Sequence, residues 1–408
     1  MINWTLVFVF AVVFSTGANA QVQPFQDANN KWGLKNNGTI VLQPQYDYIN
    51  DFSEGLSTVL SGVNFGIIDT SGKVVVAPGK YNYIYGFSEG MAAVRLDGKS
   101  GFIDKSGREV IAPKYSYSGN FHEGFAPAEL NGKMGFIDKT GKTVIPFQYG
   151  FCTEFQEGLA SVAVGGSWDY DLYIGGKWGV IDKTGKEIVA PKYDYVGPFN
   201  AGVAEVNIGG KWNYDDNEMP MIFDGMWGAI DRTGKEIVTV MNSHVYTSTL
   251  SQYGYMLVSL GSKYGIADAS GKMLTKIKYD FVRPSSEEKE IAVVNIGGKY
   301  DELYGSLAFN PYVGGNQGFI NFRTGKELTP VQYAFVGDFS EGLAMVNSGA
   351  TYSDELGYRG GKCGYIDTAG KTIIQLQFDS ADYFIGGKAK VSQGGREYYI
   401  DKTGREIK

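Results

Sequence analysis

The 408-residue sequence predicts an all-β protein. It would be a tandem array of about ten three-stranded antiparallel meander units, drawn out as an open, twisted, solenoid-like body. A closed, propeller-like ring is the alternative. One motif carries most of this expectation: its cleanest copies read MGFIDKTGKTVIPFQY (Met134 to Tyr149) and WGVIDKTGKEIVAPKY (Trp178 to Tyr193). Its glycine recurs at Gly33, Gly66, Gly101, Gly135, Gly179, Gly228, Gly265, Gly318 and Gly364, and a last, degenerate copy has Tyr398 there. Composition agrees, because 57 Gly, 28 Tyr and 24 Phe suit tight turns between aromatic strands. Units of roughly 34 residues cannot each hold a core, so they must stack.

The chain begins with a short apolar run, Trp4 to Phe14, then Ser15-Thr16-Gly17 and Ala18-Asn19-Ala20. This is the pattern of a secretory signal peptide over residues 1–20, although no Lys or Arg precedes the run. The run is too short for a membrane span. Residues 21–408 are then expected as a single array, exported to the periplasm, the cell surface or the medium.

Within one unit, Met91 to Leu96 has strand composition, Asp97-Gly98-Lys99 a turn, and Gly101 to Ile103 a second strand. Asp104-Lys-Ser-Gly107 is a second turn, and Arg108 to Ile111 a third strand. The Asp-x-Ser/Thr-Gly tetrapeptide predicts a type I turn with a bulge, its Asp accepting from the backbone and its Gly taking φ > 0. Proline follows the third strand at Pro44, Pro78, Pro113, Pro146, Pro191 and Pro330, marking a strand end or an edge. Next comes Phe-x-Glu-Gly, from Phe52, Phe87, Phe121, Phe155 and Phe339. Its Phe is expected to plug between units and its Gly to turn the chain.

These strings resemble the WG-repeat family, also called KWG repeats, of bacterial β-repeat proteins. Lys31-Trp32-Gly33, Lys177-Trp178-Gly179 and Met226-Trp227-Gly228 carry the name-giving step, and the Ile-Asp-Lys-Thr-Gly-Lys and Phe-Ser-Glu-Gly-Leu-Ala strings carry the rest. The tryptophan is loosely held: Phe65, Ser100, Met134, Tyr264, Gln317 and Cys363 take its place. The resemblance implies a β-repeat array in an often exported protein, with no general catalytic motif to carry over.

Glycine-to-glycine spacing ranges from 33 to 53. The extra residues fall in the turn before the x-Gly step, at 167–174, 212–225, 300–315 and 351–361. Insertions at one repeat position project from one face, often the binding face. They are rich in carboxylates and in rings, among them Trp168, Tyr170, Tyr173, Trp212, Tyr214, Tyr300, Tyr304, Tyr312, Tyr352 and Tyr358, which are the candidate binding residues. Rings beside carboxylates suit stacking on sugars or anchoring a protein partner. Alternatively, the loops pack on one another and shield the hairpin ends.

Other chemistry finds little support. Net charge is −7, against nucleic acid as a partner. His122 and His244 have no second ligand at a metal spacing. Glu54, Glu89, Glu123, Glu157 and Glu341 recur with the repeat, as structural residues do, whereas catalytic residues occur once. Asp169-Tyr-Asp171 and Asp215-Asp216-Asn217 lack calcium-loop spacing. The Gly-Gly-Lys strings lack the phosphate-loop pattern. The sequence thus predicts an exported, non-enzymatic scaffold for a protein or glycan partner, with no cofactor, metal or catalytic residue. A glycan-directed enzyme using the inserted loops, or a purely structural envelope component, is the alternative.

Overall fold

The computed structural model describes residues 22–169, 172–214, 220–285, 288, 290–300, 312–353 and 357–407; side chains are not described at Asp169, Leu172, Tyr214, Pro220, Met221, Phe223 and Tyr300. The predicted signal peptide lies outside the described residues. Two compact units divide the chain, Met1–Phe147 and Gln148–Lys408. Among the described residues both are built of β-strands, with one four-residue helix, Leu250–Tyr253. No described helix is long and apolar enough to cross a membrane.

Among the described residues ten repeat sheets follow one another, four beginning in the first unit and six in the second. The third is representative. An edge strand (Tyr83–Ser88) leads to an inner strand (Met91–Leu96), a glycine strand (Lys99–Asp104) and an outer strand (Glu109–Tyr115), all antiparallel. The expected three-stranded meander is present, and the Tyr-rich stretch adds the edge strand. In the second sheet that strand is only Tyr48–Ile49, pairing with Leu60 and Val59. Ile49 points into the core while Tyr48 stays exposed, so period-2 alternation fixes its register. The first sheet has three strands, Val22–Gln26, Trp32–Asn36 and Thr39–Tyr46, and so does the seventh, His244–Tyr246, Tyr255–Leu260 and Lys263–Asp268.

The motif glycine has a steric cause. Ser100 pairs with Tyr115 and Phe102 with Ile111, so Gly101 alone faces Ala112, Pro113 and Lys114. The outer strand bulges there, which suits a proline that cannot donate to the ladder. A Cβ at Gly101 would sit 2.4 Å from the Ile111 carbonyl oxygen and 2.6 Å from Pro113 N.

The turn chemistry matches expectation. Asp104 Oδ1 accepts from the Ser106 amide at 2.9 Å, the Ser106 hydroxyl at 2.6 Å and the Arg108 amide at 3.1 Å. Gly107 then takes φ 78°. The hydrogen bond from the Ser106 hydroxyl is the main cause holding the Asp104 carboxyl down at about 2.

Sheet-to-sheet contacts form two layers. Inside, the Phe of Phe-x-Glu-Gly is buried against the preceding sheet: Phe121 on Phe102 at 4.7 Å between centroids, and Phe339 on Phe319 at 4.9 Å. Outside, the Glu forms a clasp. Glu54 and Gly55 both have positive φ, closing a two-residue hairpin. The Glu54 carboxylate accepts from the Gly90 amide of the next sheet at 3.0 Å and pairs with Lys105 at 2.8 Å. Glu89 repeats this with Gly124 and Lys139, and Glu341 with Gly386 and Lys402. Glu54, Glu89 and Glu341 thus tie successive sheets together.

Candidate functional site: the inserted hairpins

In Gln148–Lys408 the four insertions all extend the hairpin between the inner and glycine strands. Three are separate ribbons: Ser167–Asp169 with Leu172–Ile174, Lys211–Tyr214 with Pro220–Phe223, and Lys299–Tyr300 with Tyr312–Val313. The fourth continues the ninth sheet, as Leu343–Ser353 and Gly357–Asp367. Three share a buried asparagine at their root. Asn207 Oδ1 accepts from the Gly210 amide, Asn295 Oδ1 from Gly298, both at 2.8 Å, and Asn347 Oδ1 from Ala350 at 3.2 Å. Each Nδ2 donates across the ribbon, to the carbonyls of Asp224, Gly314 and Gly360. The string Val-Asn-x-Gly thus marks an inserted ribbon, and it was legible in the sequence (Val206, Val294 and Val346 begin it).

Most insert aromatics turn down onto the repeats. Rings of the edge and glycine strands form a ladder: Phe151 with Trp178 at 5.5 Å, Trp178 with Tyr195 at 5.7 Å, Tyr195 with Trp227 at 6.0 Å and Trp227 with His244 at 4.2 Å. Trp168 and Tyr173 pack on Phe151, Trp212 on Tyr195 and Tyr312 on Phe281. Tyr352 and Tyr358 meet at 5.1 Å, and Tyr358 lies on Phe335. The six candidate residues whose side chains are described, Trp168, Tyr173, Trp212, Tyr312, Tyr352 and Tyr358, thus each pack on another ring. Tyr173 is buried, whereas Trp168 is 42% exposed. Tyr170 and Tyr304, and the side chains of Tyr214 and Tyr300, lie outside the described residues.

Clefts remain beside the inserts. One of about 700 Å³ is lined by Lys299, Val313, Thr351, Tyr352 and Tyr358. A second, of about 330 Å³, adjoins it and shares Ala350 and Tyr358. A third, of about 240 Å³, lies by Asp194, Lys211 and Trp212.

Sequence reasoning missed one pair. Glu205 stands where other inner strands carry Thr58, Ala93, Ser161 or Val293, and His244 where the other edge strands, Ser380 apart, carry tyrosine or phenylalanine. Glu205 Oε1 accepts from the Thr247 amide at 2.7 Å and its hydroxyl at 2.9 Å, and Oε2 lies 3.7 Å from His244 Nε2. Burial raises the Glu205 carboxyl and lowers the His244 imidazole to about 4, so the histidine is neutral at neutral pH. Trp227 and Tyr246 each lie 4.2 Å from the imidazole centroid and cover the ring. The pair packs the ladder. No cluster able to hold a metal occurs among the described residues.

A family model described as "WG containing repeat" matches residues 29–62, 65–99, 101–133, 134–168, 178–212, 264–300, 318–352 and 364–396. No curated protein sequence matches the chain. Among solved structures, a eukaryotic initiation factor is 11% identical with a TM-score of 0.40, over 94% of this chain and 98% of that one. The dihydro-heme d1 dehydrogenase NirN is 11% identical, TM-score 0.34, over 77% and 73%. Hsv2p of Kluyveromyces lactis is 9% identical, TM-score 0.31, over 78% and 97%.

Proposed function

The chain belongs to the WG containing repeat family, and from that premise we propose that it is an exported, non-enzymatic scaffold presenting its inserted hairpins to a protein or glycan partner. One observation carries this. Insertions at a single repeat position in the second unit leave clefts between and beside them, edged by aromatic and charged side chains. Rigid repeats with variable loops on one face are a common way to build a binding surface. Export rests on the signal-peptide pattern of residues 1–20. The non-enzymatic reading rests on the recurring glutamates, of which Glu54, Glu89, Glu157 and Glu341 are held by glycine amides of the following sheet.

The test compares the wild type with a variant whose residues 212–225 are cut to Asp-Gly, the turn other repeats use. Both are applied to a glycan array and to a cell-envelope extract. Binding that weakens on trimming, with melting unchanged, supports the proposal. Turnover of a glycan would favour the enzyme, and no binding of any kind a purely structural role.

A further inference from the structure

Phe335 is the last edge-strand ring at the ladder position. The next two places, the x of x-Gly and the first edge-strand residue, hold Cys363 and Ser380. In five other repeats these places hold two rings, as in Trp32 with Tyr48, 5.6 Å apart, or Trp178 with Tyr195, and the three with Ser100, Met134 or Gln317 keep the edge-strand ring. With a thiol and a hydroxyl in place of two rings, the 330 Å³ cleft opens beside Phe335, Cys363 and Ser380. Its volume is within the range of roughly 300–1,000 Å³ usual for small-molecule sites.

The walls are of two kinds. Phe335 and Tyr358, 5.5 Å apart, form an aromatic side. Asn347, Arg359, Asp379 and Ser380 supply polar groups to the rest of the lining. Lys362, at 2.5 Å, and the Gly394 amide, at 2.7 Å, orient the Asp379 carboxylate. A carboxylate has about four acceptor sites, so it can still receive hydroxyl donors. An aromatic guest would strip water from the Asp379 carboxylate and the Ser380 hydroxyl without replacing it, which is costly. A pyranose has an apolar C–H face for the rings and a rim of hydroxyls for the polar groups.

We infer that the gap at Cys363 and Ser380 is a saccharide subsite, in which one pyranose ring of a neutral oligosaccharide takes the place of the missing ladder rings. The chain of sugars continues past Tyr358 into the adjoining 700 Å³ cleft, beside Tyr352 and Lys299. This deepens the scaffold proposal and rests on it.

The experiment fills the gap with the protein's own repeat residues. S380Y installs the tyrosine found at Tyr48, Tyr83, Tyr117 and Tyr195, and C363W the tryptophan of Trp32, Trp178 and Trp227. Titration calorimetry with chitotetraose, cellotetraose and maltotetraose is run on the full chain, alongside thermal melts. Saturable binding of at least one sugar is expected, falling tenfold or more in S380Y at unchanged melting temperature. Should C363W fail to fold, S380Y carries the test, since Ser380 is exposed on an edge strand. No saturable binding of any of the three sugars overturns the subsite, and so does binding that S380Y leaves intact. Sugar binding lost only on trimming residues 212–225 would sink the subsite while leaving the scaffold proposal standing.

Discussion

Replacing Gly101 by alanine tests the origin of the motif glycine. The added Cβ would lie 2.4 Å from Ile111 O, 2.6 Å from Pro113 N and 2.8 Å from Ala112 C. All three are backbone atoms, so no rotamer change relieves the contact. Ordinary contact begins at 3.4 Å, so the bulge must move by 3.4 − 2.4 = 1.0 Å, against its own hydrogen bonds. Overpacking of this kind costs about 1–3 kcal/mol. The lower chain entropy of unfolded alanine offsets about 0.4–1 kcal/mol. The net loss is on the order of 1–2 kcal/mol, and the apparent melting temperature should fall by about 2–8 °C. Gly86 in the same sheet is the control. A Cβ there meets nothing within 4 Å and its φ is ordinary, so Gly86→Ala should melt at or slightly above wild type. Calorimetric scans of both variants decide the matter. If Gly101→Ala melts with Gly86→Ala, the bulge is not what demands the glycine.

The clasps predict an acid sensitivity. The hydrogen bond from Lys105 is the main cause holding Glu54 below its ordinary 4.5, and that from Lys402 does the same for Glu341. A lowered folded pKa gives stability that is present above 4.5 and is lost as pH falls through the folded value. Melting temperature should therefore drop on acidification below about pH 4.5, and less steeply in an E54Q/E341Q double variant; equal slopes would refute the clasp. Cys152 and Cys363 are free and buried, and burial pushes both thiols up. Ellman's reagent should find both slow in the native protein and two thiols after denaturation without reductant; none would mean a disulfide. Gly150→Asp should destabilise, because a Cβ there lies 2.0 Å from the Tyr173 hydroxyl oxygen. Tyr173→Ala should recover part of the loss, and purely additive effects in the double variant would break the link.

What was legible in the sequence is what a single residue imposes on its own backbone. Asp104 and Gly107 announce their turn, and Gly101 announces a close approach. What was not legible are relations between positions that meet only after stacking. The edge strand is an example: Tyr48–Ile49 is too short to read as a strand until Val59 and Leu60 pair with it. Gly150 is another. Asp47, Asp194, Asp280 and Asp379 at that place each accept from a hairpin glycine amide, and Gly150 breaks the pattern because the Tyr173 hydroxyl occupies the space. The sequence leaves the insert aromatics open between a face turned to a ligand and packing of the loops, and Tyr173 and Trp212 lean on the ladder, since apolar rings gain more from Phe151 and Tyr195 than from water. In a repeat protein the average copy encodes the scaffold, so information beyond the scaffold lies in departures from it. A lone departure such as His122 can be tolerated variation. Paired departures that meet in space, Gly150 with Tyr173 or Cys363 with Ser380, mark places where the packing was rebuilt. The first pair is filled from within by the inserted ribbon. The second borders a cleft, and on that difference the proposed saccharide subsite rests.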